Sequence, residues 1–396
     1  VSNKPLITVA LASLFRKVRC KLHGHTGELP CPWPDCIEGF KYNEFDTQLL
    51  GAEAIKHSYY RRRWLSLNGS ERYCWDYTND TSWFSVNKLI NEEISRLIPQ
   101  KSLESTNLYH YTSIDGLFGI VTSNHLWLTD YEFLNDSSEL NFSLEVADTS
   151  LEKFDTENYS NRVASLVPEW RKQLALTVPT CKIYVSSFSE DRDNLSLWRA
   201  YAPNGGISLG FRSDQFSLML IPGSSLSRVL YLIKDQRLLI EIVTHLHLLS
   251  VEWDLEKAIA DYDRKYELRK KFFSHTLLRH LAFIKDPSFA DERELRVTYI
   301  EDQELFDREG LKKAKRRFRP RGRLIVPYVT SDENDAGSPL GMEMPSMRSF
   351  KLPIEEIVVC PQPDSRLVER SIKEFLVAND FGKTTVSSSA IPYRRM

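Results

Sequence analysis

The sequence predicts an α+β domain with a mixed or antiparallel sheet, preceded by a small N-terminal zinc-binding module. Strand-like runs with two-residue alternation recur from residue 107 to the end of the chain, and helical runs fall between them at irregular intervals. That order lacks the regular strand-helix beat of a doubly wound sheet. The first hundred residues differ: they hold four of the six cysteines, many aromatics and little periodicity. At 396 residues the chain exceeds what one small core serves, so residues 1–100 read as a module with a linker helix and 101–396 as the α+β domain.

In order along the chain, "VNKLINEEISRLI" places Val86, Leu89, Ile90, Ile94, Leu97 and Ile98 at helical spacing before Pro99. "NLYHYT" reads as a strand, "IDGLFGIVTSN" as a short helix and "HLWLT" as a strand. Residues 137–176 read as two amphipathic helices, the second interrupted by Pro168. "KIYVSSFS" is a strand, "DNLSLWRAYA" a short helix with Asp193 as N-cap, and "GISLGF" a strand opened by Gly205 and Gly206. "SRVLYLI" reads as a strand and residues 234–284 as mostly helix. "ELRVTYI", "RLIVPYV" and "EEIVVCP" are late strands, followed by a helix from Ser365 to Val377 and a strand "TTVSSSA".

Composition excludes some classes. Hydrophobic residues make up 42%, charged residues 27%, and the formal charge is −2, so no global field draws nucleic acid or an anionic membrane. No apolar run reaches the roughly 18 residues of a spanning helix, which reads as a cytoplasmic protein without a membrane partner. Cys74, Cys181 and Cys360 stand alone in the sequence while Cys20, Cys31 and Cys36 cluster, poor arithmetic for a disulfide framework. No P-loop, dinucleotide fingerprint or G-x-S-x-G elbow occurs.

"CKLHGHTGELPCPWPDC" offers Cys20-x2-His23 and Cys31-x4-Cys36, with His25 as a rival to His23. Thiolates and an imidazole in two short-spaced pairs suit tetrahedral zinc, and four protein ligands leave no position for a reacting water, so the expected metal is structural.

His110 sits mid-strand, sharing a face with Leu108, while Tyr109 and Tyr111 take the other. Ser187, Ser189 and Glu190 end a later strand, followed by Trp198, Arg199 and Tyr201 on a short helix. "DERELRVTYI" puts Glu292, Glu294 and Arg296 on one strand face. Acids and a base on one face are costly to bury unpaired, so that face is expected to meet solvent or line a polar cleft. In "FLNDSSEL", Asn135 and Asp136 read first as caps of the following helix, with Asp136 or Ser137 at the N-cap. "KKAKRRFRPRGR" has eight basic residues in twelve; the acids upstream can neutralise it, and otherwise Lys315, Arg316, Arg317 and Arg319 form a nucleic-acid or phosphate-binding loop.

Y-H-Y-T-S, L-W-L-T-D with N-D-x-x-E, S-F-S-E-D with L-W-R-A-Y and G-G-I-S-L-G-F, and E-x-E-L-R resemble the blocks of the bacterial family called domain of unknown function 2971. The resemblance runs over roughly residues 105–395, including "SSSAIPYR", and leaves the N-terminal module outside. A more distant similarity of layout is to ADP-ribosyltransferases, which carry a His or Arg on a first strand, an aromatic or Ser on a later one, and a late-strand Glu within E-x-E. His110, then Ser187 or Tyr131, then Glu292 and Glu294 appear in that order.

This second resemblance implies an NAD-dependent ADP-ribosyltransferase or NAD glycohydrolase, of the kind that serves as a toxin or phage-defence effector. His110, Tyr111, Thr112, Tyr131, Ser187 and Arg199 would hold NAD, with Glu294, Glu292 and His110 catalytic. A nucleic-acid or protein target and a regulatory partner go with that reading. Another nucleotide- or nucleic-acid-processing enzyme, and a non-catalytic zinc-anchored recognition module, are the alternatives. For the metal, Cys31→Ser is expected to cost zinc and N-terminal order together, measured by elemental analysis; full retention of zinc would exclude the assignment.

Overall fold

The computed structural model describes residues 82–98, 107–134, 139–216, 224–256, 262–302, 313–331 and 351–392. In chain order these form α1 (Ser82–Leu97), β1 (Asn107–Thr112), α2 (Ile114–Ser123), β2 (Trp127–Asp130), α3 (Glu139–Glu152), α4 (Leu166–Thr177), β3 (Cys181–Ser189), α5 (Leu195–Tyr201), β4 (Ile207–Arg212), β5 (Ser225–Arg228), α6 (Ile233–Glu256), α7 (Tyr262–Leu281), β6 (Glu294–Asp302), β7 (Arg317–Arg321), β8 (Leu324–Thr330), β9 (Ile354–Val359), α8 (Ser365–Ala378) and β10 (Thr385–Ser388). The fold is α+β with a mixed sheet. Its pairs are antiparallel except β9 with β10.

The chain divides into two compact units. One comprises Val1–Leu97, Lys153–Trp170 and Glu241–Phe273; its described residues are helical and connecting segments, with Trp170 stacked on Phe273. The other comprises Ile98–Glu152, Arg171–Ile240 and Ser274–Met396 and contains the whole sheet.

The sheet runs β10-β9-β4-β1-β3-β2-β8-β7, and β6 lies against β3 with β5 beyond it. β6 pairs with β3 along its full length, from Cys181↔Asp302 to Ser189↔Glu294. The opposite edge of β3 is shared: β1 pairs only at Tyr109↔Ser189, and β2 only at Thr129↔Val185 and Asp130↔Tyr184. The sheet therefore forks at β3, between residues 185 and 189.

Alternation sends side chains to two cores. Leu108, Phe188, Leu209, Phe211, Leu295 and Val297 share one face with Leu117, Ile120 and Val121 of α2 and Ile372 and Leu376 of α8. On the other face, Tyr109 and Tyr111 pack with Leu197 and Trp198 of α5, and Ile183, Val185 and Ile300 with Leu278 of α7 and Ala282 just after it.

Several sequence expectations shift locally. Of "SRVLYLI" only Ser227 and Arg228 are strand, as the end of β5 (Ser225–Arg228), because beyond the Arg228↔Leu295 pair the chain turns from β6 to bond Phe283 and bridge Ile284. Pro168 falls in the first turn of α4, where no intrahelical N–H is needed, rather than interrupting a helix. The N-cap of α5 is Asn194, whose side chain accepts from the N–H groups of Ser196 and Leu197. Asp193 instead accepts from the Trp198 indole and the Ser389 hydroxyl. The basic run is partly strand β7 rather than a loop, and Asp136 and Ser137 lie outside the described residues.

Gly206 leads from α5 into β4. A Cβ there would lie 2.4 Å from the carbonyl oxygen of Thr112 and 2.8 Å from Ala202 Cβ. Because the nearer contact is backbone, Gly206→Ala is expected to destabilise by about 1–3 kcal/mol, read from the urea midpoint.

Candidate functional site

At the end of β3 and the start of β6, five charged side chains gather on the α7 side of the sheet. Lys285 follows α7, and its backbone is fixed by Gln236, whose amide donates to the carbonyls of Leu230 and Lys285 at 2.8 Å each. Its ammonium meets three carboxylates: Glu139 Oε1 at 2.8 Å, Glu292 Oε2 at 2.6 Å and Glu294 Oε2 at 3.1 Å. Arg296 reaches two of the same acids. Its Nε donates to Glu294 Oε1 at 2.7 Å, and one terminal nitrogen donates to Glu294 Oε2 at 2.9 Å and Glu139 Oε2 at 2.6 Å. The other terminal nitrogen donates to the Ala282 carbonyl at 3.0 Å.

Tyrosines rim the charges. Tyr131 donates to Glu139 Oε2 at 3.3 Å, Tyr201 lies 3.4 Å from Glu292 Oε2, and Tyr231 accepts the Glu294 N–H at 3.0 Å. The tight turn Pro287–Glu292 leads into β6 through Arg293, held at φ 44°. A left-handed residue between them re-aims the chain so that Glu292 and Glu294 both reach Lys285.

The two acids are not equivalent. Burial favours a neutral Glu294, but Arg296 and Lys285 outweigh it and, with the Ser187 hydroxyl, hold the carboxyl down at about 2. Burial lifts Glu292 above the ordinary carboxylate range; Lys285 opposes the shift, while Glu294 and Glu139 add to it. Three carboxylates against two cations leave one negative charge in excess when all are ionised, and Glu292 carries that imbalance. Its side chain is 14% exposed, against 4% for Glu294 and 6% for Glu139. Burial pushes the Tyr201 phenol upward, so it stays protonated and can donate.

The expected cleft between His110 and the Glu292–Arg296 segment does not form. His110 pairs with Leu209, on the α2 face, while Tyr109, Ser189 and Glu294 align on the opposite face. Two-residue alternation separates them with the backbone of β3 between. His110 Nδ1 lies 2.8 Å from the Ser187 carbonyl, which can only accept, so Nδ1 carries the proton. Burial depresses its pKa to about 4, with Arg319 adding to the effect. The ring thus bridges the fork in the sheet and touches the acid cluster only through Ser187.

Of the other expected ligand-binding residues, Tyr111 is already engaged. The Tyr111 hydroxyl donates to the Asp191 carbonyl at 2.7 Å and accepts from the Asn194 N–H at 3.0 Å. Thr112 ends β1 against Gly116, and Arg199 is exposed on α5. Glu190 pairs with Arg228 at 2.8 Å. Of the two middle candidates, Ser187 and Tyr131 both border the cluster.

The polar face does not meet solvent as one of the two expectations had it: Glu294 and Arg296 are buried and paired. In the basic run, Arg319 turns inward, bonding Thr129 at 2.8 Å with its guanidinium 5.1 Å from the centre of Trp127. Lys315 and Arg316 are exposed and Arg317 is half-buried. Cys20, His23, His25, Cys31 and Cys36 lie outside the described residues.

Residues 197–297 match the family model described as Protein of unknown function (DUF2971). The matched segment covers 101 of the 396 residues. It runs from α5 into β6, is narrower than the 105–395 resemblance, and holds Tyr201, Tyr231 and, near its C-terminal end, Lys285, Glu292, Glu294 and Arg296, while Glu139 lies outside it. No curated protein and no solved structure matches the chain.

Sequence reasoning missed Lys285, placed after a helix in "FIKDP", and Glu139, whose N-D-x-x-E pattern reads as a cap. Only the excess of acids in E-x-E pointed to a missing cation.

Removing one partner from this network leaves buried charges uncompensated, so Glu294→Gln is expected to cost about 3–5 kcal/mol at neutral pH. The folded value of Glu294 lies below the ordinary 4.5, so its contribution is complete above 4.5 and lost as pH falls toward about 2. The gap between wild type and variant should therefore shrink across that window in urea unfolding; a constant gap would contradict the pairing.

Proposed function

We propose that the protein is an enzyme acting at the N-ribosyl bond of NAD or a closely related nucleotide, with Glu292 as its reacting carboxylate. One observation carries the reading: Glu292 is the most exposed acid of the buried network, its pKa is raised, and it sits between the Lys285 ammonium and the Tyr201 hydroxyl. Carboxylates with elevated pKa in partly water-excluded surroundings suit proton transfer near neutrality.

In the proposed step the bond from ribose C1′ to nicotinamide nitrogen breaks, and its electron pair neutralises the pyridinium. The Glu292 carboxylate stabilises the positive charge developing on the sugar. It then takes the proton from the water or acceptor hydroxyl that bonds to C1′, and releases that proton to solvent. Lys285 orients Glu292, and Tyr201 can donate to a ribose or phosphate oxygen.

Glu294 is assigned a positioning role. Both of its oxygens already accept from Arg296, and one also accepts from Lys285, so a ribose hydroxyl would have to displace a charged partner. His110 acts at a distance, fixing the Ser187 peptide whose hydroxyl bonds Glu294.

The test is nicotinamide release from NAD by full-length protein, with and without cell extract, comparing wild type with Glu292→Gln at matched circular dichroism. Release that falls at least about a hundredfold in the variant supports the assignment, the range in which losing a general base is felt. Label transferred to protein or RNA separates transferase from glycohydrolase. No release from folded wild type under either condition would leave the network as structural alone.

A further inference from the structure

A second cluster lies at the opposite end of the same strand pair. Cys181 opens β3, Asp302 closes β6, and the register makes them direct cross-strand partners. His275 projects from α7, whose Leu278 packs with Cys181, Ile183 and Ile300. His275 Nε2 lies 3.8 Å from Cys181 Sγ and 2.8 Å from Asp302 Oδ2. The three donor atoms fall within 4.8 Å of one another, and all three residues are buried.

Both the sulfur and the carboxylate face one ring nitrogen. A nucleophile-base-orienter relay needs them on different nitrogens, one for each hydrogen bond of the imidazole. Three donors facing a single point form instead the outline of a coordination shell. A tetrahedral ion with bonds of about 2.0–2.3 Å sets its donors roughly 3.3–3.6 Å apart. The present separations bracket that range, so small side-chain shifts suffice.

We propose that Cys181, His275 and Asp302 bind a zinc ion that clasps the far end of the β3–β6 pair to α7. With the ion bound, a thiolate, a carboxylate and a neutral imidazole carry two negative charges, which a divalent cation cancels. The thiolate selects against magnesium and calcium, which take oxygen donors, and a water completes the tetrahedron. Binding releases the thiol proton and needs no other reactant. Eight residues of strand, about 26 Å at 3.3 Å each, separate Cys181 from Ser189, so this ion is remote from Glu292 and takes no part in the proposed reaction.

The test uses full-length protein carrying Cys20→Ser, Cys31→Ser and Cys36→Ser, which removes the thiolates of the other candidate zinc site. Elemental analysis is expected to find about one zinc per chain, falling at least about tenfold when Cys181→Ser or His275→Gln is added. Cobalt substitution should give a thiolate-to-cobalt charge-transfer band. Should Cys181→Ser fail to fold, adding Cys74→Ser and Cys360→Ser to the parent variant leaves Cys181 as the sole thiol, and the band should persist. A folded parent variant that binds neither zinc nor cobalt, or metal retained in Cys181→Ser, would overturn the proposal.

Discussion

Lys285 and Arg296 hold three carboxylates in a buried network, and much of the site follows from that constraint. Glu139 comes from α3, Lys285 from the segment after α7, and Glu294 and Arg296 from β6. Two cations satisfying acids from three elements fix how those elements meet, because an unpaired charge in that position would cost several kcal/mol. The network explains why Glu294 and Arg296 occupy a strand whose residues are buried throughout. Charge usually bars a residue from such a place, and here mutual pairing admits it.

The same network differentiates its acids. Bidentate pairing with Arg296 makes Glu294 a fixed anion, while Glu292, at the less buried edge, bears the surplus negative charge and rises in pKa. Two carboxylates two residues apart thus acquire different chemistry from position alone. The left-handed Arg293 is the local device that allows it, since it separates the turn holding Glu292 from the strand holding Glu294. The fork of the sheet at β3 is handled differently: where β1 and β2 part, the His110 ring supplies a donor to the Ser187 carbonyl.

The contrast between His110 and Glu294 shows where reading a linear sequence stops. Each was a reasonable polar residue on a strand, and alternation within each strand was legible. Which faces become common depends on register, and Tyr109↔Ser189↔Glu294 puts His110 on the other side. Arg319 makes the same point: its neighbours in the run suggest a solvated cation, but hairpin pairing turns it onto Trp127 and Tyr328.

Periodicity alone gave the α+β class, most of the strands and the long helices, because burying one face imposes a two- or 3.6-residue rhythm on the chain. The blocks around L-W-R-A-Y and E-x-E-L-R likewise marked the segment that holds the charge cluster. Pairings between distant residues have no such rhythm. Lys285 with Glu139, and Cys181 with His275 and Asp302, lie about a hundred or more residues apart. Their meeting is fixed by strand register and helix packing, which are properties of the assembled sheet rather than of any stretch of sequence.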